Sequence, residues 1–505
     1  MRSKRAALNS AFAIIAEVVS VICGFILPRL ILSSFGSKYN GITSSITQFL
    51  SYVVLLRAGI GGVTRAALYK PLAERDSIKL SGIVNATQAF MSKISVIYLV
   101  CAGVFSLVYP FLVKNEFSYL FSFTLVLILS ISFFAQNYFG ITYSLVIEAD
   151  QRGYIYSILT MLTTILNTVV ACGLILSGAS IHIVKLGSAI VFTANPIFLS
   201  IYTKKKYKID KTVPKDNIAI KQRWDAFAQQ FAAFINNNTD VVILTVASNL
   251  SEVSVYTVYH MVIKGLNGFQ NAIVNSFEPA FGDLLARDEK KKLDNAFRTC
   301  EFICFGIATF IWVCAAVLIV PFIMVYTNGV TDVSYHRPVF AILACVSAYF
   351  NCTRMPYVML VSAIGHFRQI RTGAIITPII NIVISIALVP RYGVDGVMVG
   401  TIASMLFMNV QYSIYASKYV LHRSIGFVLR NFLVSALQIV LCVLLYFIMP
   451  FPQIGNYFLF FVETVVFAVI ALAIIVLISI LFNRNELYTA VRMAKGIIRR
   501  KKNEC

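Results

Sequence analysis

The run YFLFFVETVVFAVIALAIIVLISILF, residues 457–482, is apolar from end to end except for Glu463 and two small hydroxyl residues. As an α-helix it is long enough to cross a hydrocarbon core of about 30 Å. It shows no period-2 alternation, so it is not a strand of an outer-membrane barrel. Working back along the chain, thirteen further runs of similar length recur at 9–33, 40–64, 86–112, 117–146, 154–177, 180–202, 226–248, 253–281, 299–325, 338–364, 372–391, 394–417 and 431–450. Several contain Gly or Pro, which membrane helices tolerate when neighbours satisfy the freed backbone groups. The sequence therefore predicts an all-α integral membrane protein of about 14 transmembrane helices.

Composition agrees. Of 505 residues, 58% are hydrophobic and 13% charged, with a mean hydropathy of +0.79. A soluble chain carries roughly 25% charged residues, so a soluble multidomain reading is excluded. The first run is longer than a signal-peptide core and no small-residue cleavage site follows it, so it is expected to be retained. Ten cysteines show no metal spacing, and most lie inside apolar runs as small hydrophobes (Cys23, Cys101, Cys172, Cys345, Cys442). No disulfide is expected.

The net charge is +21. With the N-terminus taken as cytoplasmic, 33 of the 43 Lys and Arg fall in cytoplasmic segments, and only Lys38, Lys114, Arg337 and Arg391 in outer loops. This asymmetry is the positive-inside rule. It predicts a multi-pass inner-membrane protein with both termini cytoplasmic. The basic segments 204–223, 287–298 and 484–502 border helix ends, where anionic membrane lipids attract them. No nucleic-acid partner is expected.

The chain also repeats itself. At an offset of 213–214 residues, Ser37 and Thr43 match Ser251 and Thr257, and Leu72-Ala73-Glu74-Arg75-Asp76 matches Leu285-Ala286-Arg287-Asp288. Further on, Tyr143 matches Tyr357, Thr163 and Asn167 match Thr377 and Asn381, and Gly187 matches Gly400. The expected organisation is an N-lobe of six helices (1–202), a basic cytoplasmic linker (203–223), a C-lobe of six helices (224–417), two additional helices (418–482) and a basic tail (483–505). An even number of crossings per copy gives both the same orientation, related by a pseudo-twofold axis along the membrane normal. A duplicated carrier with a central cavity is the expected use.

Ionisable groups inside a span cost at least ~2.5 kcal/mol and usually face a cavity. Six basic residues lie within the runs: Arg29, Arg57, Lys93, Lys185, Lys264 and Arg354. Lys93 and Lys185 are read as snorkelling from helix ends. Arg29, Arg57, Lys264 and Arg354 are read as lining one cationic cavity drawn from both copies. The alternative is that they are structural charges paired with helix carbonyls or with Glu17 and Asp240. Arg is shaped to fork a phosphate. Arg65 and Glu278, at equivalent places in the two copies, form a candidate cytoplasmic gate. The run Asn236-Asn237-Asn238-Thr239-Asp240 marks a polar seam or an ion site of oxygen ligands.

Tyr39-Asn40-Gly41, Gln48-Phe49-Leu50-Ser51-Tyr52, Gly59-Ile60-Gly61-Gly62 and Leu68-Tyr69-Lys70-Pro71-Leu72-Ala73 together resemble the second helix of Wzx-type polysaccharide flippases. These belong to the multidrug/oligosaccharidyl-lipid/polysaccharide (MOP) exporter superfamily, and the similarity in plan covers nearly the whole chain. The resemblance implies transport of an undecaprenyl-diphosphate-linked oligosaccharide from the inner to the outer leaflet, and a polysaccharide polymerase and other assembly proteins as partners. The lipid II flippases of the superfamily have cavity arginines in helices one and two and a basic residue in helix eight, which Arg29, Arg57 and Lys264 resemble. Their sodium site implies a possible metal site here of Asp240, Asn381, Ser385, Val397 and Thr401, with Ser where an Asp is usual. Loss of that carboxylate weakens an oxygen-ligand cage. Na+ or H+ is the expected coupling ion, with no other cofactor.

Competing readings are a lipid II-type precursor flippase and a multidrug cation antiporter, the latter wanting an acidic cavity. A membrane glycosyltransferase needs catalytic carboxylates or a large outer loop, and ATP-driven export needs a Walker loop. Neither is present. The chain is not expected to be an enzyme.

Overall fold

A computed structural model of the chain describes residues 2–55, 60–219, 238–274, 277, 281, 284, 289–364, 366–449 and 456–492. Every regular element among them is helical: α1 (Arg2–Phe35), α2 (Ser37–Val54), α3 (Ile60–Glu74), α4 (Ser77–Leu112), α5 (Tyr119–Ala135), α6 (Ile141–Ala149), α7 (Gly153–Leu176), α8 (Ile181–Tyr207), α9 (Asn238–Ala247), α10 (Leu250–Val274), α11 (Lys290–Tyr326), α12 (Pro338–Ile364), α13 (Phe367–Tyr392), α14 (Val394–Tyr415), α15 (Gly426–Ile448) and α16 (Tyr457–Phe482). A π-helical turn, Gln136–Gly140, joins α5 to α6.

Among the described residues eleven segments are long and apolar enough to cross a bilayer, and they coincide with eleven of the fourteen runs. The chain is a multi-pass membrane protein. Of the other three runs, two fall below that apolarity where they are described, for a physical reason. Run 40–64 spans α2 and the start of α3, and α2 carries Asn40, Thr43, Ser45, Thr47, Gln48 and Ser51. Of run 253–281, residues 253–274 lie in α10, which carries His260, Lys264, Asn267 and Gln270. Of run 226–248 only α9 is described. Such polar helices require protein or water beside them, because lipid cannot satisfy their side chains.

The chain forms two compact units, Met1–Thr257 with Gly329–Val333, and Val258–Asn328 with Ser334–Cys505. In the first, Ile42, Ile46 and Leu50 of α2 pack with Tyr98, Tyr109, Leu125 and Leu250. Here α2 crosses the start of α10 at Gly41, where a Cβ would lie 1.9 Å from the Leu250 carbonyl oxygen. Asn40 Nδ2 donates to Ser254 Oγ at 2.9 Å, a residue 214 positions on and thus its own counterpart in the repeat.

Both helices begin under a carboxylate. Asp332 accepts from the Ser37 backbone N–H (2.6 Å) and Ser37 Oγ (2.7 Å). Glu116 accepts from the Leu250 N–H (2.9 Å). Each satisfies an orphan donor at a positive helix end. Asp332 follows α11 and caps the first copy's second helix, whereas Glu116 follows α4 and caps the second copy's, so the capping is reciprocal.

In the second unit, Tyr357 packs beside Phe297 and Tyr412 in the main apolar cluster. Its hydroxyl donates to Glu301. Arg423 donates to the same carboxylate at 2.7 Å, with side chains 4% and 2% exposed, and its guanidinium lies 5.0 Å over the Phe297 ring. Burial opposes the charge of Arg423, but the Glu301 carboxylate outweighs it, so its pKa is raised above the ordinary value. α15 and α16 are joined by Gln438, which donates to the Ile475 carbonyl and Ser479, and by Tyr446, which donates to Glu463 at 2.9 Å.

Candidate functional site

Residues Tyr156, Thr160, Thr163 and Asn167 recur at helical spacing, so α7 turns them to one face. On α8, Lys185, Ser188, Phe192, Asn195 and Leu199 do the same. Within the first unit these two faces, with Ser132, Phe133 and the π turn's Gln136 and Gly140, line a cavity of about 690 Å³. The inserted residue of a π turn breaks the regular ladder, and such turns are frequent at functional sites. Asn195 Nδ2 donates to Thr163 Oγ1 at 3.2 Å. Thr160 Oγ1, Asn167 Oδ1 and Ser188 Oγ are buried with no hydrogen-bond partner.

Lys185 is the one charged residue on this wall among the described residues, and no carboxylate pairs with it. The snorkelling expected of it gives way here to a place on the cavity wall, because the second turn of α8 directs its face inward. Position along the chain gave depth but not direction. The polar stripe at 156–167 and 185–199, read as a helix face, is the signal that finds this cavity in the sequence.

The cationic residues expected to share one cavity are distributed as follows. Arg29 lies part-buried on α1 in the first unit. Arg57 lies outside the described residues. In the second unit, Lys264 is exposed on α10, one turn beyond His260. Arg354 on α12 donates to Asn351 Oδ1 at 2.7 Å and contacts Met408 Sδ, and its Nε has no partner. No carboxylate pairs with Arg354 among the described residues.

Of the candidate gate, Glu278 lies outside the described residues, and Arg65 pairs with Glu148 at 3.0 Å. In the polar seam, Asn236 and Asn237 also lie outside them. Asn238 accepts from Gln48 (3.0 Å), and its carbonyl accepts from Tyr52 (3.0 Å).

Four of the candidate metal-site residues come together in the second unit. Ser385 Oγ lies 3.0 Å from Asn381 Oδ1 and 3.3 Å from the Val397 carbonyl, which accepts from Thr401 Oγ1 at 3.0 Å. Asn381 Nδ2 reaches Thr401 Oγ1 at 3.4 Å. The approach depends on Gly400, where a Cβ would sit 2.2 Å from Ser385 Oγ. Asp240 belongs to the first unit and accepts from the Tyr256 hydroxyl at 3.0 Å. The hydroxyl, amide and carbonyl oxygens suit a hard cation such as Na+, and their mutual hydrogen bonds also make them an interhelical clasp.

No family model and no curated protein matches this sequence. Among solved structures the chain is similar to the lipid II flippase MurJ in an inward closed conformation, at 17% identity and a TM-score of 0.73, over 94% of this chain and 99% of that one. It is also similar to an inward-facing multidrug resistance MATE family transporter of the MOP superfamily (12% identity, TM-score 0.61, 80% and 98% covered). A third is the eukaryotic MATE transporter AtDTX14 (13% identity, TM-score 0.57, 82% and 95% covered). At such identities the likeness is one of fold.

Proposed function

We propose that the chain is an alternating-access flippase. It moves an undecaprenyl-diphosphate-linked oligosaccharide, a capsule, O-antigen or exopolysaccharide repeat unit, from the cytoplasmic to the outer leaflet of a bacterial plasma membrane. The observation that carries the reading is Arg354, an arginine within a span whose guanidinium meets an amide and a thioether and, among the described residues, no carboxylate. A charge so placed is costly, and an arriving diphosphate supplies the counter-charge that the fold omits. Arg29, Arg57 and Lys264 are proposed to share this task. A cation-exporting antiporter would want the opposite sign. A lipid II-type precursor carries the same diphosphate, so the charge argument covers it too, and the head-group separates the two experimentally.

The rest of the reading follows the repeat. Lobes 1–202 and 224–417 rock about the substrate, with both termini cytoplasmic, helices 418–482 outside the repeat and a polysaccharide polymerase as downstream partner. Na+ held by Asp240, Asn381, Ser385, Val397 and Thr401, or H+ on Asp240, is the proposed coupling ion. Arg65 and Glu278 are the proposed gate.

The test is leaflet accessibility of a labelled polyprenyl-diphosphate oligosaccharide in proteoliposomes. Arg354→Ala, and Arg29→Ala with Arg57→Ala, are each expected to slow movement about tenfold or more, equivalent to about 1.4 kcal/mol of lost stabilisation. Unchanged rates in both variants would overturn the reading. Arg65→Glu combined with Glu278→Arg is expected to restore transport lost in either single reversal.

A further inference from the structure

A diphosphate carrier needs its cations where the diphosphate passes, and the reading above gives Lys185 nothing to do. We infer that the cavity of the first unit is a subsite for a carboxylate-bearing sugar, with the Lys185 ammonium as the counter-ion of the carboxylate. The hydroxyls and amides of α7 and α8 then meet the ring hydroxyls. The inference rests on the flippase reading only for the source of the sugar.

Charge count comes first. Among the described residues the wall offers one ammonium and no carboxylate, a balance that disfavours cations and suits a monoanion. A diphosphate brings more negative charge than one ammonium balances, and the described residues of the wall include no arginine to fork it. Hydrogen-bonding capacity comes next. Thr160 Oγ1, Asn167 Oδ1 and Ser188 Oγ have no protein partner among the described residues, so their hydrogen-bonding capacity is open to a ligand. A polyhydroxylated ligand supplies several donors and acceptors at once. Tyr156 and Phe192 add aromatic surface suited to the apolar face of a sugar ring. The volume of about 690 Å³ lies within the range of small-molecule sites, roughly 300–1,000 Å³.

The experiment uses the full chain in lipid nanodiscs with free glucuronate and free glucose as probes, read by ligand-observed NMR titration. Glucuronate is expected to bind about tenfold or more tightly than glucose, a gap of the size one charge-assisted contact supplies. Lys185→Met and Lys185→Gln are each expected to bring glucuronate down to the glucose level without moving glucose. Lys185→Arg is expected to retain the preference. Equal glucuronate binding by the wild type and both neutral variants would overturn the inference.

A second arm compares polyprenyl-diphosphate glycans ending in glucuronate or glucose in proteoliposomes. Selective slowing of the acidic glycan by Lys185→Met identifies the lipid-linked glycan as the source of the sugar. If both glycans move and neither neutral variant discriminates in either arm, the subsite falls and the flippase reading stands. If the free acid binds through Lys185 and neither glycan moves, the flippase reading falls, the subsite stands and its ligand is a free sugar acid.

Discussion

Lys185 and Arg423 are both cations withdrawn from bulk water among helices, and the protein treats them in opposite ways. Arg423 is sealed. Its guanidinium sits on Glu301, Tyr357 shares that carboxylate, and Phe297 covers the ring-facing side. Lys185 opens onto a roomy wall of mixed apolar groups, hydroxyls and amides, with no acid among its described residues. Arg354 falls between them, holding an amide and a thioether. A charge that finds its acid inside the fold is part of the scaffold. One left with neutral neighbours is available to whatever enters.

The comparison predicts a ranking in stability, read as thermal unfolding of the purified protein in detergent. Glu301→Ala strands a buried guanidinium and is expected to cost about 3–5 kcal/mol. Adding Arg423→Met to it is expected to recover most of the loss, because the stranded charge is then gone. Asp332→Ala removes a carboxylate satisfied by an N–H and a hydroxyl, not by a cation, and is expected to cost about 1 kcal/mol, the value of a lost N-terminal cap. Lys185→Met is expected to cause no loss of stability, because it removes a charge withdrawn from water that has no described acid beside it. A Lys185→Met loss as large as that of Glu301→Ala would break the distinction between the two cations.

The membrane class was readable because a bilayer imposes length and apolarity on each crossing, and residues 457–482 or 338–364 meet both over their whole extent. The second and eighth runs were harder to bound, since α2 and α10 carry the polar groups that meet at Asn40 and Ser254. The candidate site was legible only in part. Asn381, Ser385, Val397 and Thr401 were placed through a resemblance that fixed their spacing, and the structure brings these four together. Lys185 was misjudged because distance from a helix end does not say which way a face turns. Glu301 escaped notice because its partner Arg423 lies 122 residues away, a pairing that no local pattern encodes. The π turn at Gln136–Gly140 is equally silent in the sequence, being one extra residue in an otherwise regular helix.

The reciprocal caps on α2 and α10 bear on how the chain is made. Ser37 is synthesised 295 residues before Asp332, so for most of translation the top of α2 has no lid. Glu116, by contrast, is already in place when Leu250 emerges. The earlier half therefore waits for the later one while the reverse does not hold, and a ribosome stalled before residue 332 leaves a membrane-inserted fragment whose second helix is unfinished at its first turn.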